Sequence, residues 1–414
     1  MTNLTAAEQF NARSGRIDDA IRLKVPDRVP ILANFRYFAA KYAGLTPACA
    51  FYDAEGWLAA NKKAILDFQP DLYYAPLTDS GKAFEILGMK QVRWPGHGVP
   101  VNASHQFVEG EYMKADEYDK FLEDISGYAL NTYIPRLCEA LEPLSTLPSF
   151  KTLLFGNAGL SELAANLARP EIEKALQDLI RAGHEINHTR AVVRNFNQDM
   201  AAHGYPCISG HATSAFDVLS DLHRGMRGSM LDMYYRPDKL LQAIEKLEPI
   251  TLQRTIDSAR LHGSTRIQVP LHRGADGFMS DAQFREFYWP NLKRLLLSLI
   301  DAGLTPCVFF EGGYNSRLEY LRELPPGKIL ARFDTTDVFA AKDIIGDVIC
   351  IAGNMPVSIM QVGTAEDVKS YAKKLIDEVG RNGGFVMCTR GVLDETRPEN
   401  VKAWIEFTRE YGVY

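Results

Sequence analysis

The sequence contains no stretch approaching the ~18 consecutive apolar residues that a membrane-spanning helix needs, so no membrane partner is expected. Basic surplus is also lacking: 46 Lys and Arg stand against 52 Asp and Glu, for a net charge of −6, with no block of five like charges. Nucleic-acid binders carry a basic stripe, so that class is not expected either. The six cysteines, at 49, 138, 207, 307, 350 and 388, form no Cys-x-x-Cys pair. They are expected to be free, mostly buried thiols rather than a disulfide framework. Gly-x-Gly-x-x-Gly, the P-loop, His-Glu-x-x-His and Gly-x-Ser-x-Gly are all missing. Dinucleotide, nucleoside triphosphatase, zincin and α/β-hydrolase chemistry therefore have no support. Met1 to Glu8 offer neither a basic start nor an apolar core, so no secretory leader is expected and the cytoplasm is the expected location.

What is present is an ordinary globular composition, 46% hydrophobic and 24% charged, without repeats or low-complexity tracts. Eight short apolar runs recur, each closing on a polar or small residue. They are Val29–Ala33, Leu72–Pro76, Pro206–Ser209, Ile267–Leu271, Cys307–Phe310, Ile329–Phe333, Val348–Ala352 and Gly384–Met387. Amphipathic segments of helical period lie between them, such as Ala365–Gly380, which Thr364 and Asp367 mark with a capping box. Alternating strands and helices predict a parallel sheet, and continuous apolar runs predict strands buried on both faces. Eight such units predict a (β/α)₈ TIM barrel spanning 1–414 as a single domain. A barrel needs only ~250 residues. The surplus falls between the second and third runs and predicts a helical extension at about 80–200, in which Lys151–Phe155 is a ninth strand candidate.

Barrel enzymes place their chemistry at the C-terminal ends of the strands. The residues that close the runs, Arg36, Thr78, His211, His272, Glu311, Asp334, Asn354 and Arg390, are therefore expected on one rim. His272 is either a hydrogen-bonded structural residue or an acid, base or ligand. Glu311, after four apolar residues, would have its pKa raised by burial and transfer protons; the alternative is a turn cap. Asp334 is the third candidate catalytic group, whereas Asp337, three residues on, suits an N-cap. Arg36, His211, Asn354 and Arg390 are candidates for binding substrate, Arg36 through a carboxylate. His223, Arg224 and the aromatic group Phe284, Phe287, Tyr288 and Trp289 read as structural, with Pro290 kinking or restarting that helix.

At several motifs the chain resembles the uroporphyrinogen decarboxylase superfamily and its corrinoid-linked methyltransferase branches. The resemblance rests on Arg16-Ile-Asp-Asp-Ala-Ile-Arg22, Pro26-Asp-Arg-Val-Pro30, the run Leu222 to Asp232, Ala352-Gly-Asn-Met-Pro356, Gly363 to Val368, and Pro398 to Ala403. It implies a (β/α)₈ barrel. The thiol-methylating branch binds zinc through His-x-Cys after the fifth strand and a Cys after the eighth. Here the triplet reads Phe309-Phe310-Glu311, and Cys388 lies near the later position. An altered zinc site of His272, Glu311 and Cys388 is the metal expectation. The true decarboxylases hold their tetrapyrrole with paired N-terminal arginines, of which only Arg36 has a counterpart here. The resemblance thus implies a methyltransferase that moves a methyl group from a small O-, N- or S-methyl compound to or from a corrinoid (cobalamin) carried by a partner protein, O-demethylation included. The alternatives are a decarboxylase or lyase on a small carboxylated substrate, and a non-catalytic corrinoid- or tetrapyrrole-binding subunit. A homodimer is among the expected assemblies.

Overall fold

The computed structural model describes residues 4–414. Met1, Thr2 and Asn3, the first residues of the segment in which no secretory leader is expected, lie outside the described residues. All eight expected strands are present and parallel. They are β1 (Leu32–Ala33), β2 (Leu72–Tyr74), β3 (Cys207–Ile208 and Gly210–His211, broken at Ser209), β4 (Arg266–Leu271), β5 (Thr305–Phe310), β6 (Leu330–Phe333), β7 (Cys350–Ala352) and β8 (Phe385–Val386). Each pairs with the next, β3 joining β2 through its first half and β4 through its second. Ile31 bridges Met387 in parallel, with Leu32 N–H donating to the Met387 carbonyl at 2.9 Å. That last pairing ties β8 to β1 and closes the ring.

Alternation along the strands sorts the side chains. Leu32, Leu72, Tyr74, Ile208, Cys307, Leu330, Cys350, Val386 and Cys388 pack together inside the ring, while Ile267, Val269, Val308, Phe310, Ala331 and Phe333 join the outer core beneath the helices. Buried parallel strands need both sets, which is why the runs are apolar throughout. The helix Ala6–Ile21, started by a Thr5–Glu8 capping box, plugs the N-terminal end with Ile17, Ala20 and Ile21. All six cysteines are free, four of them buried.

Between β2 and β3 the extension is mostly helical, dominated by the 33-residue helix Pro170–Ala202, with a core of its own around Leu87, Leu141, Ile172 and Ala175. It also holds a small sheet of Val92–Pro95, Gly98–Val99 and Gln106–Phe107, which periodicity did not reveal. The ninth strand candidate is a correction: Phe150–Phe155 is a 3₁₀ helix, capped by Ser149. Leu154 and Phe155 are largely exposed, so this apolar run has no core to enter and its composition alone could not choose between strand and helix. No described helix is long and apolar enough to cross a membrane.

Pro290 lies inside one continuous helical run over 281–301, directly after the π-helical turn Phe284–Tyr288, a bulge of the kind that accommodates a proline within a helix. Asp337 caps the helix Val338–Ile345 by accepting from the N–H groups of Phe339 (2.9 Å) and Ala340 (3.2 Å). Asp337→Ala is expected to lower unfolding stability by about 1 kcal/mol, measured by urea titration, with little change in the mouth of the barrel. No loss of stability would mean the cap is replaced by solvent at no cost.

Candidate active site

The strand ends open onto one mouth, and its best-defined part lies beyond β3, β4 and β5. His272 follows β4 directly. Its Nδ1 is 2.5 Å from Asp221 Oδ2, and its Nε2 is 3.7 Å from Glu311 Oε2. Asp221 comes from the π-helical turn Val218–Arg224, which follows β3. Arg273 Nη2 lies 3.0 Å from the other oxygen of Asp221, and Arg273 Nε donates to Ser220 Oγ. Behind them Asp217, fully buried, accepts from Tyr288 OH at 2.6 Å, from Ser214 Oγ at 2.9 Å and from the Arg273 N–H at 3.2 Å. Tyr288, one of the core aromatics, thus reaches the site as a support.

This surrounding decides the protonation of His272. Burial pulls its pKa down, but the Asp221 hydrogen bond and the carboxylates of Asp217, Asp221 and Glu311 outweigh burial and raise it to about 9. Asp217 moves up, because burial and the neighbouring Asp221 both disfavour its charge. Two other histidines go the opposite way. His211 ends β3 and faces the mouth, where crowding by the walls, then Arg254 and His272, lower its pKa to about 4. His105, which shares a 2.7 Å hydrogen bond with Tyr37 OH, is lowered to about 4 by burial and Arg36. Near neutral pH the mouth therefore combines one imidazolium with two neutral imidazoles.

A second group stands at β1, β2 and β8. Arg36 adopts a left-handed backbone (φ 47°), uncommon for a non-glycine residue. Among the described residues it makes no ion pair within 4.0 Å, yet its charge reaches Asp79 and Asp394. Burial pushes both of these acids up, Arg36 opposing. Asp394 is held by the Tyr37 N–H (2.9 Å) and by Ser104 Oγ (2.8 Å).

The remaining candidates sort by geometry. Asp334 accepts from the Gly312 N–H at 3.0 Å, so it braces the turn carrying Glu311; Gly312 has φ +83°, which suits glycine there. Asn354 is buried, and its Nδ2 donates to the carbonyls of Asp334 and Thr336, both at 3.1 Å. Arg390 Nε donates to the Asn354 carbonyl at 3.3 Å. Thr78 takes a hydrogen bond from Trp57 Nε1. Glu311 corrects the expectation of a buried carboxyl, since its side chain is 55% exposed. The zinc expectation does not fit this arrangement. Cys388 is buried in the barrel interior, where burial pushes its thiol up, and among the described residues no three His, Cys, Asp or Glu side chains form a metal-ligating group.

Residue order alone missed Asp221, Asp217, Asp79 and Asp394. The pair Asp217 and Asp221, four apart after β3, was the available signal, because that spacing puts both carboxylates on one helical face.

Strand ends converging on an acid–imidazole network define an α/β-barrel protein with the active-site layout of barrel enzymes. The uroporphyrinogen decarboxylase (URO-D) family model matches residues 163–411, and the chain belongs to that family. A uroporphyrinogen decarboxylase of Syntrophotalea carbinolica is 27% identical over 169 residues, 41% of this chain and 48% of that protein. One from Methylococcus capsulatus is 31% identical over 122 residues, 29% of this chain and 34% of that protein. The matched regions thus span half or less of these curated relatives. Among solved structures, a methyltransferase from Methanosarcina mazei superposes with a TM-score of 0.64 over 96% of this chain and 98% of its own, at 16% identity. That likeness is one of fold.

Proposed function

We propose that the protein is a methyltransferase that takes a methyl group from a small O-, N- or S-methyl compound and passes it to a corrinoid held by a partner protein. The observation that carries this reading is His272, an imidazolium fixed between Asp221 and Glu311 at the mouth. A methylated heteroatom is a poor leaving group until it is protonated or otherwise made electrophilic. His272 supplies that proton. Asp221 fixes the ring through Nδ1 and leaves Nε2–H directed toward the mouth beside Glu311. As the bond from methyl carbon to heteroatom breaks, its electron pair stays on the heteroatom, which takes the Nε2 proton. The methyl group passes to the acceptor, the cobalt(I) corrinoid serving as nucleophile. Glu311 stabilises the imidazolium before transfer, while Arg36 and Arg390 offer positive charge to the substrate.

A second reading is a decarboxylase acting on a small carboxylated substrate. It is favoured by the names of the curated relatives and by Arg36 standing beside Asp79 and Asp394. One assay separates the two. The protein is incubated with a reduced corrinoid protein and a panel of methyl ethers, methylamines and methyl thioethers, and methylcorrinoid formation is followed by absorbance. Methylation with at least one donor, and none after Glu311→Ala and His272→Gln are combined, is the expected result. Carbon dioxide release from a small carboxylate without any corrinoid, with no methylation across the panel, would replace it by the decarboxylase.

A further inference from the structure

Arg332 is a charged residue inside a barrel strand, and it is 2% exposed. Its guanidinium reaches across the interior, with its carbon 4.0 Å from the ring centre of Phe309 on β5 and 5.3 Å from that of Tyr74 on β2. One terminal nitrogen, Nη2, donates to the carbonyls of Arg390 (3.2 Å) and Gly391 (3.4 Å) beyond β8. Among the described residues Nε and Nη1 are buried with no hydrogen-bond partner, as is the hydroxyl of Tyr74, which lies close to the guanidinium. Among the described residues no carboxylate lies within 4.0 Å of Arg332, and the nearby Asp334 is turned to the Gly312 N–H.

A buried cation without a counter-charge is costly, and the cost is relieved when an anion arrives. Guanidinium donors and a phenol hydroxyl are the groups that recognise an oxyanion. The strand register adds the direction. Pro270, Phe309, Arg332 and Ala352 form one row across β4 to β7. His272 and Glu311 each lie two residues past that row, about 7 Å along the strands. An anion at Arg332 therefore sits below the His272–Glu311 pair, on the axis of the mouth.

We propose that Arg332 and Tyr74 form an oxyanion subsite inside the barrel that anchors the carboxylate of a small substrate. The substrate class that follows, a small acid whose methylated heteroatom lies at the end away from its carboxylate, rests on the methyl-transfer reading above. The subsite itself does not.

The test is calorimetric titration of the full chain with acetate and acetamide, benzoate and benzamide, and inorganic phosphate. At least one carboxylate is expected to bind about 10- to 100-fold tighter than its amide, the range of a hydrogen bond to a charged group. Arg332→Gln should reduce that preference to about twofold or less, and Tyr74→Phe should weaken carboxylate binding with the ring retained. Equal binding of acids and amides by the wild type overturns the subsite, and so does binding of phosphate alone. A preference that survives Arg332→Gln but vanishes in Arg36→Gln overturns it by moving the anion to Arg36. If Arg332→Gln does not fold, undiminished carboxylate affinity in Tyr74→Phe overturns it. Carboxylate binding without methyl transfer from any donor, acidic or neutral, would sink the methyl-transfer reading and leave the subsite standing. Methyl transfer from neutral donors only would do the reverse.

Discussion

Replacing His272 by Gln is expected to slow methyl transfer by about 10²- to 10⁴-fold, the usual share of a positioned general acid. Glutamine retains hydrogen-bonding capacity toward Asp221 but has no proton to give a departing heteroatom. The fold should tolerate the change, because the side chain of His272 is 37% exposed and Asp221 keeps Arg273 as partner at 3.0 Å. Substrate affinity should change much less than the rate, since a proton donated during bond breaking acts chiefly in the transition state. An unchanged single-turnover rate would remove His272 from the chemistry. The same group predicts a trend in stability. The folded pKa of His272, about 9, lies above its ordinary value of 6.5. Its stabilising contribution is therefore complete below pH 6.5 and is lost as pH rises through about 9.

The second large effect concerns stability. Arg224 and Asp232 are both buried, with Arg224 Nε 2.6 Å from Asp232 Oδ2. Arg224 Nη1 also donates to Glu111 Oε1 and to the Met113 carbonyl, each at 2.6 Å, which ties the extension to the helix Gly225–Tyr235. Tyr118 OH, from the extension, completes Asp232 at 2.8 Å. Arg224→Met removes the cation but leaves the buried carboxylate. The expected cost is about 3–5 kcal/mol, because an uncompensated buried charge dominates. In urea this appears as a lower midpoint with an unchanged slope. A loss below about 1 kcal/mol would show that Arg236, whose Nη1 is 3.3 Å from Asp232 Oδ1, takes over the charge.

Both residues illustrate what the sequence made legible. The strands were visible because a doubly buried strand must be apolar along its whole length, so eight runs announced eight strands. His272, Glu311, Arg36 and Asp334 followed, since barrel topology sends every residue that closes a run to the same rim. Arg224 read as structural from its place in a helix-to-turn segment, and its partner Asp232 lies eight residues on. What stayed hidden depends on side-chain direction rather than order. Asp221 lies ten residues past β3 and meets His272 only because a π-helical turn swings it back across the mouth. The burial of Glu311 was misjudged because the residues before it are apolar, whereas the strand ends at Phe310 and the next residue is already in the opening. Cys388 looked like a ligand by proximity to the motif, but it continues the inward-facing series of β8 and is fully buried in the packed barrel interior. Arg332 carried the plainest unused signal, a charge in the middle of the otherwise apolar run Ile329–Phe333.

The measurement that bears most directly on acid-assisted methyl transfer is the pH dependence of the single-turnover rate, in wild type and in Asp221→Asn. With His272 as the donor, the rate in wild type holds through neutral pH and falls about tenfold per unit above a midpoint near 9. In Asp221→Asn the loss of the hydrogen bond and of one negative charge moves that midpoint to lower pH. A wild-type rate that stays level to pH 10 or rises with pH, or a midpoint that ignores Asp221→Asn, would contradict the account.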